Sequence, residues 1–145
     1  MFSRGNATSG EPIWIGISEL DHPPFYYLLA SLPLWLIRYS DVSIQLYAAR
    51  GISLALYLLT IWLGGQIVAE LVEKDHVLRW AVPATMALLP AFTDLMTAVN
   101  SDVGAVAVFS LFLWGAVRMI VRGFSWSRLA WVVGTAALCW WTKNT

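Results

Sequence analysis

The chain has 145 residues, of which 59% are hydrophobic and 12% are charged, and its mean hydropathy is +0.66. Because soluble domains carry about 25% charged residues, this composition indicates an integral membrane protein rather than a soluble domain. The formal net charge of zero gives no indication of nucleic-acid binding, and the single cysteine, Cys139, excludes an internal disulfide.

The N-terminal part of the chain predicts a loop followed by a short surface helix. Residues 1–22 are polar, with several Gly and Ser residues, and contain no apolar core of signal-peptide type. Pro23 and Pro24 suit the first turn of a helix, and the apolar run after them has about 14 residues, too few to cross a bilayer. We therefore expect an outer-face loop over residues 1–22 and a juxtamembrane helix over residues 23–37.

Four further apolar runs predict membrane helices. The first, Gly51–Ala69, has no formal charge over 19 residues, which corresponds to about 28 Å of helix. Pro83 and Pro90 interrupt the second and predict a kink. The expected fold class is an all-α, polytopic membrane helix bundle in which residues 1–145 form part of a transmembrane domain. Its predicted membrane helices cover residues 51–72, 77–96, 103–121 and 129–142.

The distribution of basic residues predicts the orientation of this bundle. Lys74 and Arg79 border one loop, and three arginines lie within residues 118–128. The intervening loop, residues 97–102, has no basic residue, so the positive-inside rule assigns 70–79 and 118–128 to the cytoplasm. Arg50 and residues 97–102 are then expected on the outer or lumenal face.

Arg50 stands where the first uncharged run begins. Arginines at the ends of membrane helices often serve as interfacial anchors, and that interpretation stays open. The alternative is ligand binding, since a planar guanidinium can bind two phosphate oxygens at once. Arg50 is therefore a candidate ligand for a lipid-linked phosphate.

Two carboxylates flank the loop that precedes the third membrane helix. Ser101 or Asp102 can cap that helix and complement its dipole. Alternatively, Asp102 is an outward carboxylate able to bind a metal ion or an acceptor group. Asp94 lies about two turns earlier in sequence, so the two acids and Arg50 predict a polar pocket at the outer face.

Four more residues are candidate ligands at the same face. His22 is either part of a solvated loop or a phosphate ligand and proton carrier. Tyr26 and Tyr27 are either interface residues or the lining of a sugar or polyprenyl site. Lys143, after the last apolar run, is also expected outside.

The ordered set of motifs resembles a known superfamily. The segments "HPPFYYLLASLPLWL", "YAARGISLALYLL" and "NSDVGA", followed by Thr142-Lys143, are similar to those of GT-C membrane glycosyltransferases. The closest likeness is to protein O-mannosyltransferases and to bacterial aminoarabinose transferases, and it covers residues 20–145.

This resemblance implies transfer of a sugar from a polyprenyl-phosphate carrier to an acceptor at the outer or lumenal face. A plasma or inner membrane is favoured over the endoplasmic reticulum. It implies that His22 and Arg50 bind the phosphate and that Asp102 matches the second outer-loop acid. A carboxylate would act as general base, and cations would stabilise the leaving phosphate. A divalent metal ion is a candidate cofactor, and no other cofactor is implied.

One departure from that pattern concerns the main catalytic acid. In these families it lies before "HPP", often as Asp-Glu, and no such pair is present here. We expect the chain to be a fragment that is inactive alone. Two alternatives stay open: a transporter or flippase fragment, indicated by Gln66, Asp94 and the proline-broken second run, and a non-catalytic membrane subunit.

Overall fold

The computed structural model describes residues 25–142, and this part of the chain is entirely helical with connecting turns. The expectation of an all-α fold is confirmed for these residues, whereas residues 1–24 and 143–145 lie outside them. Six helices follow in order: α1 (Phe25–Leu36), α2 (Val42–Leu71), α3 (Leu78–Leu88), α4 (Pro90–Thr97), α5 (Ser101–Arg122) and α6 (Trp126–Thr142).

Helices α2 and α5 lie side by side and run parallel. The rings of Trp62 and Trp114 are 6.3 Å apart, and Arg122 Nε donates a hydrogen bond to Glu70 Oε2 at 2.8 Å. Both contacts join a residue of α2 to the residue 52 positions later in α5. This common separation defines the register between the two helices. Helices α3 and α4 together bring the chain back from the C-terminal end of α2 to the N-terminal end of α5. Helix α6 runs antiparallel to α5.

The bundle therefore has two ends with different charges. The basic end comprises the C-terminal ends of α2 and α5 and the N-terminal ends of α3 and α6. The Arg50 end comprises the N-terminal ends of α2 and α5 and the C-terminal ends of α4 and α6. Five of the seven basic residues in the described chain lie at the basic end: Lys74, Arg79, Arg118, Arg122 and Arg128.

Helix α2 begins at Val42, nine residues before the predicted start at Gly51. The reason is the cap at Asp41, whose side chain accepts a hydrogen bond from the Ser43 backbone N–H at 3.1 Å. Arg50 therefore lies two turns inside a continuous helix, although the uncharged stretch still begins directly after it.

The predicted second membrane helix is two shorter helices in the structure. Leu89 is extended, with φ −75° and ψ 110°, as the steric demand of Pro90 on the preceding residue requires. The hydroxyl of Tyr57 donates to the carbonyl of Ala87 at 2.9 Å, and Thr93 Oγ1 donates to the same carbonyl at 3.3 Å. Side chains of neighbouring helical segments thus satisfy a backbone acceptor at the break, as an apolar environment demands. Pro83, by contrast, lies within α3.

Small residues allow α1 to pack onto the bundle. Tyr26 of α1 is fully buried, and its Cβ would lie only 3.1 Å from a Cβ added at Gly104 of α5. On the α2 side, the Tyr26 hydroxyl and Ser53 Oγ form a hydrogen bond of 2.8 Å. Helix α1 is therefore wedged between α2 and α5.

Two of the six helices are long and apolar enough to cross a membrane, α2 with 30 residues and α5 with 22. Only 22% and 28% of their most apolar stretches are buried within the protein. The helices within the other two predicted spans are shorter, since α6 has 17 residues and the second run is divided at Leu89.

Candidate functional site

A cavity of about 460 Å³ opens at the Arg50 end, between α2 and α4. It brings together Arg50 and Asp94, two candidates that are 44 positions apart in the sequence. Thr97, one turn after Asp94, adds a hydroxyl to the same wall. The remaining lining comes from Tyr47, Gly51, Leu54 and Ala98.

The cavity follows from where the helices begin and end. Asp94 is in the second turn of α4, which can approach α2 because the chain breaks at Leu89. Arg50 faces it because α2 continues past the uncharged stretch toward its cap at Asp41. An unbroken helix over 77–96 would have pointed its C-terminal turns along the axis of α3 instead.

Arg50 and Asp94 share this cavity without forming an ion pair. Within the part of the chain that the structure describes, Glu70 is the acid in the ion pairs, and neither Arg50 nor Asp94 takes part in one at 4.0 Å or less. Both side chains are exposed. The lining of the cavity therefore contains a cation and a carboxylate that are not paired with each other.

Asp102 lies at the level of Arg50 on the neighbouring helix. The register set by Trp62–Trp114 and by Arg122–Glu70 relates Arg50 of α2 to Asp102 of α5. The sequence favoured Ser101 or Asp102 as the helix cap, but the cap is Asn100, whose Oδ1 accepts from the Val103 N–H at 3.1 Å. Asp102, half-buried in the first turn, complements the helix dipole.

The two tyrosines occupy different positions. Tyr26 packs in the core, bonded to Ser53, and does not line the cavity. Tyr27 is half-buried, and its ring meets that of Tyr26 edge-on with centroids 5.4 Å apart. The position of Tyr26 thus gives it a packing role in this structure, and ligand contact by either tyrosine stays a prediction.

Three predictions remain to be compared with the structure: the ligand roles of His22 and Lys143, and a divalent metal site. His22 and Lys143 both lie outside residues 25–142. No group of three or more His, Cys, Asp or Glu side chains that could hold a metal ion occurs within that range.

The opposite, basic end holds an ion-pair cluster that the sequence did not predict. Arg122 Nη2 donates to Glu70 Oε1 at 2.7 Å, and Arg118 Nε lies 3.3 Å from the same oxygen. The side chain of Glu70 is only 12% exposed. Glu70 directly follows the uncharged run, so the sequence predicts its position at the end of that helix. The sequence did not predict that Arg118 and Arg122 are its partners.

Neither protein-family models, nor curated proteins, nor solved structures match this chain.

Proposed function

We propose that this chain is part of a GT-C-like membrane glycosyltransferase that moves a sugar from a polyprenyl-phosphate carrier to an acceptor at the non-cytoplasmic face. The observation that carries the proposal is the shared cavity of Arg50 and Asp94, where a guanidinium and a carboxylate face each other without pairing. Such an arrangement suits a ligand that needs both a phosphate partner and a proton acceptor.

The surface of the long helices supports a membrane location. Core helices of soluble proteins are mostly buried, whereas α2 and α5 are largely exposed along their most apolar stretches. Exposed apolar side chains on these two helices include Leu54, Leu58, Trp62, Phe109 and Leu113. Apolar surface of this extent on a monomer is typical of a surface covered by lipid or by a partner.

The spacing of charges along α2 fits the thickness of a bilayer. Arg50 and Glu70 bound the uncharged stretch, and Glu70 comes 20 positions after Arg50. This separation corresponds to a helical rise of about 30 Å, the thickness of the hydrocarbon core. The positive-inside rule then assigns the basic end to the cytoplasm and the Arg50 end to the outer face. In this orientation the cavity opens at the interface where a lipid-linked phosphate would be presented.

Three charged residues at the Arg50 end have proposed roles. The Arg50 guanidinium binds the phosphate and stabilises the negative charge that develops there as the sugar leaves. Asp102, with Asp94 nearer to the cavity, supplies the carboxylate that accepts the proton from the acceptor hydroxyl. On this assignment the sugar–phosphate bond breaks as the acceptor oxygen bonds to the sugar, and the carrier leaves as the phosphate.

The phosphate-binding half of the proposal is tested on the 145-residue chain in phosphatidylcholine nanodiscs. The probes are a polyprenyl phosphate and the polyprenol of the same length, and retention is measured by native mass spectrometry. We expect the phosphate to bind more tightly than the alcohol, and Arg50→Gln to weaken phosphate binding about tenfold, the effect of one lost charge-assisted hydrogen bond.

Arg38→Gln is the matched control, because it removes the same charge from a residue that stacks on Tyr39 and does not line the cavity. Equal retention of phosphate and alcohol, or equal losses in both variants, would contradict the phosphate site. The catalytic half is tested by sugar transfer in membranes of the native host, where Asp102→Asn should abolish turnover without reducing the amount of protein.

The broken helix favours one second candidate, a transporter or flippase of lipid-linked substrates. Discontinuous membrane helices often expose backbone groups to ions or substrates. Here the Ala87 carbonyl at the break is bonded by Tyr57 and Thr93 instead, which favours a static break. Movement of a labelled polyprenyl-phosphate sugar across proteoliposomes without sugar transfer would support transport over glycosyl transfer.

A further inference from the structure

The basic end contains a second cavity, of about 370 Å³, between α5 and α6. Arg118 and Arg128 line it together with Trp114 and Trp131. Its other lining residues are Gly115 and Ser127. This cavity lies at the opposite end of the bundle from Arg50 and plays no part in the proposed sugar transfer.

Hydrogen-bond donors at this cavity exceed the acceptors available to them. Trp114 Nε1 and Arg118 Nε are buried and have no hydrogen-bond acceptor among the described residues. Arg118 Nε lies 3.3 Å from Glu70 Oε1, so the ion pair contributes Coulomb attraction without hydrogen-bond alignment. Buried donors without acceptors are costly, so an acceptor that reached these two groups would be stabilised by them.

The charges at this end leave a positive excess. Glu70 is already held by two hydrogen bonds from Arg122, so a single carboxylate faces the guanidiniums of Arg118 and Arg122. Arg128 lines the cavity as well, and its Nη1 contacts are the uncharged backbone carbonyls of Arg122 and Gly123. The cavity is therefore both rich in donors and cationic.

We propose that this cavity binds the phosphate of an anionic phospholipid on the face of the membrane opposite to Arg50. Phosphate oxygens would accept hydrogen bonds from Arg118, Arg128 and the indole N–H of Trp114. Basic pockets between membrane helices near the cytoplasmic face are suited to anionic headgroups.

A lipid fits better than a free anion because two of the six lining residues are tryptophans, which can contact the apolar part of a lipid. Trp114 and Trp131 meet edge-on with centroids 6.1 Å apart, and Trp131 is 46% exposed. Aromatic side chains at this depth pack against the acyl chains and glycerol backbone below a headgroup. Gly115 lets Trp131 pack closely against α5, since an added Cβ would lie 2.5 Å from Trp131 Cδ1.

The test titrates the full chain in neutral detergent with short-chain phosphatidylglycerol and, separately, with phosphatidylcholine of the same chain length, with bound lipid counted by native mass spectrometry. Phosphatidylglycerol should bind at least about tenfold more tightly, and Arg128→Gln should remove about tenfold of that affinity. Arg79→Gln, the same charge change at the same end but outside the cavity, should change the affinity less than about twofold. Trp114→Phe keeps the ring, removes the indole donor and should weaken binding about threefold.

Three results would overturn the proposal. Equal affinity for the two lipids would exclude a headgroup site. Equal losses in the Arg79 and Arg128 variants would reduce the effect to diffuse charge. Inorganic phosphate binding as tightly as phosphatidylglycerol would assign the cavity to a free anion. If circular dichroism shows that the Arg128 variant unfolds, Trp114→Phe still tests the site. It retains all charges, and its binding of phosphatidylglycerol can be compared with that of the unmodified chain.

Discussion

Packing at Gly104 determines whether α1 stays wedged in the bundle. A Cβ there would lie 3.1 Å from Tyr26 Cβ and 3.7 Å from Thr142 Cγ2, so Gly104→Ala forces α1 outward by a few tenths of an ångström. Alanine in a helix interior gains about 1 kcal/mol over glycine, whereas overpacking a close contact costs about 1–3 kcal/mol. We expect Gly104→Ala to lower the free energy of unfolding by about 1 kcal/mol, and Gly104→Val to lower it further.

The matched control is Gly134→Ala in α6, where an added Cβ meets no heavy atom within 4 Å in the described part of the chain. This variant should be neutral or stabilising by up to about 1 kcal/mol, because only the helix propensity changes. Reversible unfolding in mixed micelles with increasing sodium dodecyl sulfate, followed by circular dichroism, measures both. A Gly104 variant as stable as the Gly134 variant would refute the close packing of α1 on α5.

Three further outcomes follow from the described contacts. Tyr57→Phe removes the hydroxyl bonded at the helix break and should lower the free energy of unfolding by about 1 kcal/mol in the same assay. Tyr47 is 72% exposed, so Tyr47→Phe should be neutral. Equal effects of the two variants would contradict the hydrogen bond of Tyr57. Glu70→Gln leaves two arginines without their anionic partner and should cost about 1–2 kcal/mol of unfolding free energy, and an unchanged midpoint would contradict a stabilising pair. With Cys139 replaced by serine, Ser101→Cys should react with an impermeant maleimide from the outer side of intact cells, and labelling only after lysis would reverse the proposed orientation.

The helical class of the described residues was readable from composition and hydrophobic runs. Gly51–Ala69 contains no charge. An apolar stretch of that length predicts a continuous helix whatever the arrangement of the other helices. Pro90 likewise predicted an interruption, because its ring restricts the residue before it regardless of context. The extension of α2 before Gly51 was not predicted, because the cap at Asp41 is one polar residue in a region without a strong hydrophobic period.

Local patterns could not determine which residues meet. Arg50 and Asp94 share a cavity only because α4 turns away from α3 at Leu89, and the direction of that turn depends on packing against α2. The same limit applied to Tyr26, which the sequence offered as an interface or ligand residue and which the fold buries against Gly104.

By itself the sequence determined that the chain forms apolar helices and that its charges collect in two groups separated by uncharged runs, because propensity and hydropathy act over neighbouring residues. The sequence predicted that Arg50, Asp94 and Asp102 share a pocket at one face. The tertiary structure decided that, among the described residues, Arg50 and Asp94 line one cavity without Asp102 and that Arg118 and Arg128 line another. Those pairings depend on helix direction and register, which arise from side-chain packing between segments far apart in the chain.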